Sequence, residues 1–329
     1  MFDGLKYAPK YFIYALIELF ILANLLIQFV DRENHGLFIK YTCCIFIGLA
    51  VILTGYYIAN GEIINSNDFG QSYSKYLLGF AAIGCYYLLL TERKTVYGVL
   101  SFLLLIPSML SANRKLWLAL FVVYVIMTIL YLWGPIRKNI DKKERKKLLC
   151  IVCSLLSALV ICAVVFLILV PKVSRTVDQT FGNIQETGDM IRRYVNIYAI
   201  NAFKQSPIIG NGWGDRIYIN ELGQSNMYHN SYLSILAQLG LVGFLLYLGA
   251  FVYPLVKAIM IMFKKRQYFD YALFVLALWL YAAIVIYFRP LNRMSYYIFG
   301  PPFILAMVFD AWEAGKRICI GKCRDTIKG

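Results

Sequence analysis

The stretch RKNIDKKERKKLLCIVCSLLSALVICAVVFLILV, Arg137 to Val170, decides how the rest of the chain is read. A block rich in cations ends at Lys147, and from Leu148 to Val170 no charged residue interrupts the run. One helix needs about 20 mostly apolar residues to cross the hydrocarbon layer, where an unpaired backbone amide finds no water. Cations just before such a run mark its cytoplasmic end under the positive-inside rule.

Runs of the same kind recur at 11–30, 37–59, 76–90, 95–112, 116–134, 230–256, 270–288 and 295–311, making about nine with 148–170. The run at 76–90 is short, as a weakly tilted or re-entrant segment would be. Hydrophobic residues make up 60% of the chain and charged ones 16%, with mean hydropathy +0.63; soluble domains carry about 25% charged residues. The expectation is an all-α, polytopic transmembrane helix bundle, with residues 1–329 forming a single integral membrane domain. The first run contains Glu18 and Asn24 and lacks a small-residue cleavage site, so it reads as a retained span rather than a signal peptide. Polar groups inside a span are costly, and a hydrogen bond between helices is the expected use of these two.

A net charge of +15 would fit nucleic acid, but the cations sit in short connections, where their use is topological. If spans alternate, Arg137–Lys147, Lys264–Arg266 and the tail after Trp312 share the cytoplasmic side. Gly61–Ser74, the segment 171–228 and the turn Arg289–Arg293 then lie outside. So does the N-terminus, although Lys6 and Lys10 flank the first span. The eight cysteines fall in spans or in the tail, so no disulfide framework is expected. Cys150 and Cys153 have redox or metal spacing, but they open an apolar span without partners and read as packing residues.

Segment 171–228 is too long for an ordinary connection and is expected to be an extracytoplasmic loop that carries function. Within it, GDMIRRYVNIYAINAFK (Gly188–Lys204) places Met190, Ile191, Tyr194, Tyr198 and Ala202 at helical spacing, as in an amphipathic helix on the membrane surface. Ser206-Pro207 ends it, and Gly210, Gly212 and Gly214 permit tight turning and close backbone approach.

Of the two histidines, His35 lies in a short inner turn and reads as a solvated loop residue. His229 stands at the outer mouth of an apolar helix, beside Asn230. Two readings stand together there: a general base touching lipid and water, or a helix cap with Asn230 or Ser231 serving the free amides. Arg114, Arg192 and Arg193 fall on the outer side, where guanidinium groups bind phosphates bidentately or snorkel to lipid headgroups. Arg289 and Arg293 are weaker candidates for the same role. There is no phosphate-binding glycine loop, no paired-aspartate sugar-nucleotide motif, no His/Cys cluster with metal-ligand spacing and no G-x-S-x-G nucleophile.

Taken in order, three of these stretches resemble the O-antigen ligase and polymerase family of bacterial surface-glycan enzymes. SANRKLWLALFVVYV (Ser111–Val125) is similar to the family's Ser-x-x-Arg element opening a membrane helix. RRYVNIYAINAFKQSPIIGNGWG (Arg192–Gly214) resembles its arginine followed by Pro-x-x-Gly-x-Gly, with Arg192 the better match and Arg193 the second. HNSYLSILAQLGLVGFLLYLG (His229–Gly249) resembles its His-Asn-x-x-Leu helix with a later Gly-x-x-Gly. Many members carry Glu where this chain has Gln238, and members are typically longer.

The resemblance implies a metal-independent, cofactor-free glycosyl transfer on the outer face of the inner, cytoplasmic membrane. The donor would be a polyprenyl-pyrophosphate-linked oligosaccharide and the acceptor a glycan, with a chain-length regulator and a flippase as further partners and no nucleic acid. Arg114 and Arg192 would neutralise the leaving pyrophosphate and His229 would accept the acceptor's proton. Arg193, Asn230, Arg289, Arg293 and Trp213 would bind substrate, with Tyr194 and Tyr198 as further sugar surfaces. A compact chain rich in Lys, Ile, Asn and Tyr favours a repeat-unit polymerase for capsule, exopolysaccharide or O-antigen over a ligase. A flippase would show paired inverted halves with broken helices, or charges near the midplane, and the sequence displays neither. An inactive scaffold would not need arginine and histidine motifs on one face.

Overall fold

The computed structural model describes residues 35–59, 74–105, 114–133, 142–143, 145–146, 149–153, 157, 186–212, 216–219, 224–227, 230–287 and 300–313. The run at 11–30, with Glu18 and Asn24, and most of 148–170 lie outside them. The elements are α1 (His35–Ala59), α2 (Ser74–Glu92), α3 (Thr95–Leu103), α4 (Arg114–Trp133), α5 (Glu186–Gln205), β1 (Arg216–Ile219), β2 (Gln224–Met227), α6 (Ser231–Lys264), a 3-10 turn (Arg266–Tyr268), α7 (Phe269–Tyr287) and α8 (300–313). The protein is helical, as its composition requires. The all-α expectation holds, and beside the helices one short ribbon is present, β1 and β2 pairing antiparallel with Arg216 opposite Met227 and Ile219 opposite Gln224. No apolar run announces this ribbon, which is built from polar and mixed sequence.

The core gathers around α7, whose Tyr271, Phe274, Leu278, Tyr281 and Ile286 are fully buried. Cross-helix contacts fix the directions of its neighbours. Lys40, early in α1, pairs with Glu92 at the end of α2 at 2.7 Å, and Phe46 stacks on Phe80, so α1 and α2 are antiparallel. Tyr87 packs on Phe274 while the Tyr281 ring meets Phe80, so α7 also runs against α2.

A buried polar chain ties α2 to α3 and α4. The Ser101 hydroxyl donates to the Ala82 carbonyl at 2.9 Å and lies 2.6 Å from the Tyr124 hydroxyl. Tyr124 stacks on Tyr86 with centroids 4.1 Å apart, and the Tyr86 hydroxyl lies 2.5 Å from Thr128. These pairs make α4 parallel to α2. The start of α2, the start of α4 at Arg114 and the end of α7 at Tyr287 therefore share one end of the bundle.

At the opposite end α6 passes into α7 through the 3-10 turn, and α8 is fastened there. Lys265 pairs with Glu313, Lys257 with Asp310, and the Tyr253 hydroxyl donates to Asp310 at 2.5 Å. Large apolar side chains also cover the outside of the bundle, among them Ile52, Phe121, Leu246 and Phe263. A water-facing surface would hide such groups, and a lipid-facing one has no reason to. α6, and α7 together with its 3-10 turn, are long and apolar enough to cross a membrane by length and composition.

Three expectations change on contact with these helices. In the run at 95–112 the first helix closes at Leu103 with a turn at 104–105, and 106–112 lie outside the described residues. Cys150 and Cys153 are exposed, so packing against the described core does not explain them. The run at 230–256 is not one straight rod, because Gly240 interrupts it. An unbroken helix would hold Tyr232 and Phe251 about 28 Å apart, yet their rings meet at 5.9 Å, and Tyr232 also meets Tyr247 at 6.4 Å. The segment 231–239 thus folds back along 241–264 in a sharp V, a broken helix that the sequence did not reveal. The longer arm, about 36 Å, still suffices to span a bilayer.

Thermal unfolding in detergent tests the polar chain. Ser101→Ala is expected to cost about 1 kcal/mol, and Tyr124→Phe on top of it little more, because both remove one shared hydrogen bond. Two full and additive losses would show that the groups act separately.

Candidate functional site

The break in α6 is where the two later motifs meet. Gly240 has φ 63° and ψ −163°, a combination open only to glycine without strain of about 1–3 kcal/mol. The turn after α5 fills the gap with its own backbone. The amides of Asn211 and Gly212 donate to the carbonyls of Ala237 and Gln238, both at 3.0 Å. In return, the amides of Leu241 and Val242 donate to the carbonyls of Pro207 and Ile208 at 2.8 and 3.1 Å. Carbonyls that end one helix and amides that begin the next, normally orphaned, are thereby satisfied by a single turn.

Three glycines make this approach possible. A Cβ on Gly210, itself at φ 73°, would lie 2.3 Å from the Gln238 carbonyl carbon, and one on Gly240 would lie 2.4 Å from the Ile208 oxygen. A Cβ on Gly243 would lie 2.2 Å from that of Leu239, so this glycine lets the two arms of the V close. Gly212 has φ 92° but open space around it, so it serves turning alone. The turn is braced further by Ser206, whose hydroxyl donates to the Gly210 carbonyl at 2.8 Å, and by the Asn211 side chain, which donates to Ala202.

α5 and the short arm both end at this stitch, so they lie side by side and point the same way. Their seam is made of Val195, Ala199 and Ala237, flanked by Tyr194, Tyr198, Ala202 and Leu233. The amphipathic expectation is corrected in detail: the packed stripe centres on Val195 and Ala199, with the tyrosines at its edges, half-buried against protein. One turn back from Leu233 along the short arm is Asn230. One turn back from Val195 along α5 are Ile191 and Arg192, with Arg193 adjoining and exposed. Asn230 and the arginine turn accordingly both lie on the side of the seam away from the stitch.

Asn230 caps the short arm, its Oδ1 accepting from the amides of Tyr232 at 2.9 Å and Leu233 at 3.3 Å. The capping role considered for this position therefore falls to Asn230, while Ser231 is fully buried. With Oδ1 engaged, the amide nitrogen of Asn230 is the group left to donate to a ligand. Tyr232 reaches Tyr287 at 6.2 Å, which brings the start of the short arm to the bundle end where α4 begins at Arg114. Arg114 and Arg192 are placed here as helix positions only. His229, Trp213, Arg289 and Arg293 lie outside the described residues, with Asn230 and Tyr287 the nearest described neighbours of three of them.

Sequence reasoning missed Gln238, Asn211, Gly240 and Gly243 as a structural unit. Gln238 is buried, and its side-chain amide donates to Ser234 at 3.0 Å. A carboxylate at that point would be an expensive burial, which fits an uncharged residue here.

Helices armoured with apolar side chains and a helix broken and folded back on itself define a helical protein of membrane type. A profile of the O-antigen ligase family matches residues 70–248, more than half of the chain, and the chain belongs to that family. The matched stretch runs from just before α2 into the long arm of the V, and so contains the whole stitch. Membership carries membrane association and a glycosyltransferase type of activity in polysaccharide biosynthesis. No curated protein sequence matches the chain.

Replacing Asn230 with Ala is expected to cost about 1 kcal/mol of cap stability, read as faster hydrogen exchange at the Tyr232 and Leu233 amides. Asn230→Asp should retain slow exchange, and equal exchange in all three proteins would remove the cap from the account.

Proposed function

We propose that the chain is a metal-independent glycosyltransferase that polymerises polyprenyl-pyrophosphate-linked oligosaccharide repeat units on the outer face of the cytoplasmic membrane. The observation that carries this reading is the parallel seam of α5 and the short arm, which leaves Asn230 and the Arg192–Arg193 turn both on the side away from the stitch, with Tyr232 reaching Tyr287 at the bundle end where α4 starts with Arg114. In this proposal residues 1–329 form one multi-pass membrane domain and 171–228 face outward.

The acceptor hydroxyl oxygen attacks the anomeric carbon of the donor, the bond from that carbon to the pyrophosphate oxygen breaks, and polyprenyl pyrophosphate leaves. His229 takes the hydroxyl proton, a contribution of roughly a hundred- to ten-thousand-fold for a well-placed base. Arg114 and Arg192 stabilise the negative charge that grows on the leaving group, as fixed guanidinium groups do for phosphates. Arg193, Arg289 and Arg293 add positive charge for the donor. The Asn230 amide nitrogen donates to sugar, and Trp213 offers a face for a sugar ring. The donor's pyrophosphate is already a good leaving group, so no metal is invoked.

A transporter of the same lipid-linked glycan is the second reading, because the broken α6 is one mark of such proteins. Against it, the break is filled by backbone hydrogen bonds rather than left to line a path. Uptake of labelled lipid-linked oligosaccharide into proteoliposomes without bond formation would favour transport.

His229→Ala and Arg192→Ala are expected to insert and accumulate normally but to form no polymer, as read by gel analysis of the glycan. Normal chain length in either variant removes that residue from the mechanism. Deleting the gene separates polymerase from ligase: single repeats left on lipid indicate a polymerase, and long unattached chains indicate a ligase.

A further inference from the structure

We infer that Gly210, Asn211 and Gly240 are positioning residues, whose stitch between the 206–212 turn and the α6 break sets the distance between the Arg192–Arg193 turn and Asn230 at the start of the short arm. The inference rests on the reading of the site under Proposed function and concerns what holds that site in register.

The seam between α5 and the short arm is thin. Its buried members are Val195, Ala199 and Ala237, side chains too small to lock two helices against sliding or opening. What joins the two elements rigidly is the stitch, with two hydrogen bonds in each direction. It also leaves no space for a Cβ at Gly210 or Gly240, so the two backbones are in direct contact.

From the stitch to Arg192 is about 20 Å of helix. A slack of about 10° at the stitch would therefore swing the arginine turn by roughly 3–4 Å, while a misplacement of about 1 Å can cost a hundredfold in rate. The Asn211 side chain, tied to Ala202 in the last turn of α5, holds that same angle from the other side. The two glycine motifs thus act on the reaction through geometry, at a point far from the reacting atoms.

The test uses the full chain in lipid nanodiscs and, as donor, the lipid-linked single repeats extracted from a strain lacking the gene. Gly240→Ala and the milder Asn211→Ala are compared with Gly249→Ala, a change on the same helix where a Cβ meets nothing within 4 Å. In Gly240→Ala the amides of residues 211–212 and 241–242 should exchange faster. Its kcat should fall about a hundredfold with KM changed only a few-fold. Asn211→Ala should show a smaller loss of the same form, and Gly249→Ala neither effect. A wild-type kcat in Gly240→Ala despite faster exchange would overturn the inference. So would a loss that only tracks the amount of folded protein in the disc, or one carried wholly by KM. Full activity in His229→Ala or Arg192→Ala would instead strike the site reading itself, so the two failures are told apart.

Discussion

The fold turns on an exchange of backbone hydrogen bonds between the turn at 207–212 and the gap at Gly240. Interrupting a helix in or near a bilayer strands amides and carbonyls where water is scarce, and each stranded group costs several kcal/mol. The turn removes that penalty by supplying two donors and two acceptors in matching positions. What makes this region specific follows from it: the V of α6, the parallel seam with α5, and Tyr232 brought back beside Tyr287 rather than projecting beyond the bundle.

The helices could be seen in the sequence because lipid imposes long apolar runs, and α1, α2, α4 and α7 sit where those runs were. The break could not. From Tyr232 to Met262 the chain stays almost wholly apolar, and Gly240 and Gly243 in such a run are as well explained by close helix packing. What distinguishes them is a positive φ and a partner backbone from thirty residues upstream, and neither leaves a mark in hydropathy. The β ribbon was hidden for a related reason, since its two four-residue strands, RIYI and QSNM, are too short and too mixed for alternation to stand out.

Of the candidate site, the motifs were legible as patterns of residue type, but their division of labour was not. The glycines of Pro-x-x-Gly-x-Gly read in the sequence as permitting close backbone approach, without saying of which backbone; in the structure Gly210 is approached by the chain's own, at Gln238 and Gly240. Asn230 read both as a helix cap, with Ser231 as the alternative, and as a sugar contact, and its oxygen is spent on two helix amides. Spacing along the chain does not record which backbone comes near, so these roles had to wait for the fold.

The stitch also decides where this protein can change without harm. The chain is pinned at Gly212 and again at the Asn230 cap, so the excursion between them, ribbon included, begins and ends at fixed points. The entropy of closing such a loop grows only with the logarithm of its length. Between Trp213 and His229, the ribbon and its turn can therefore be lengthened, shortened or exchanged while both anchors stay put.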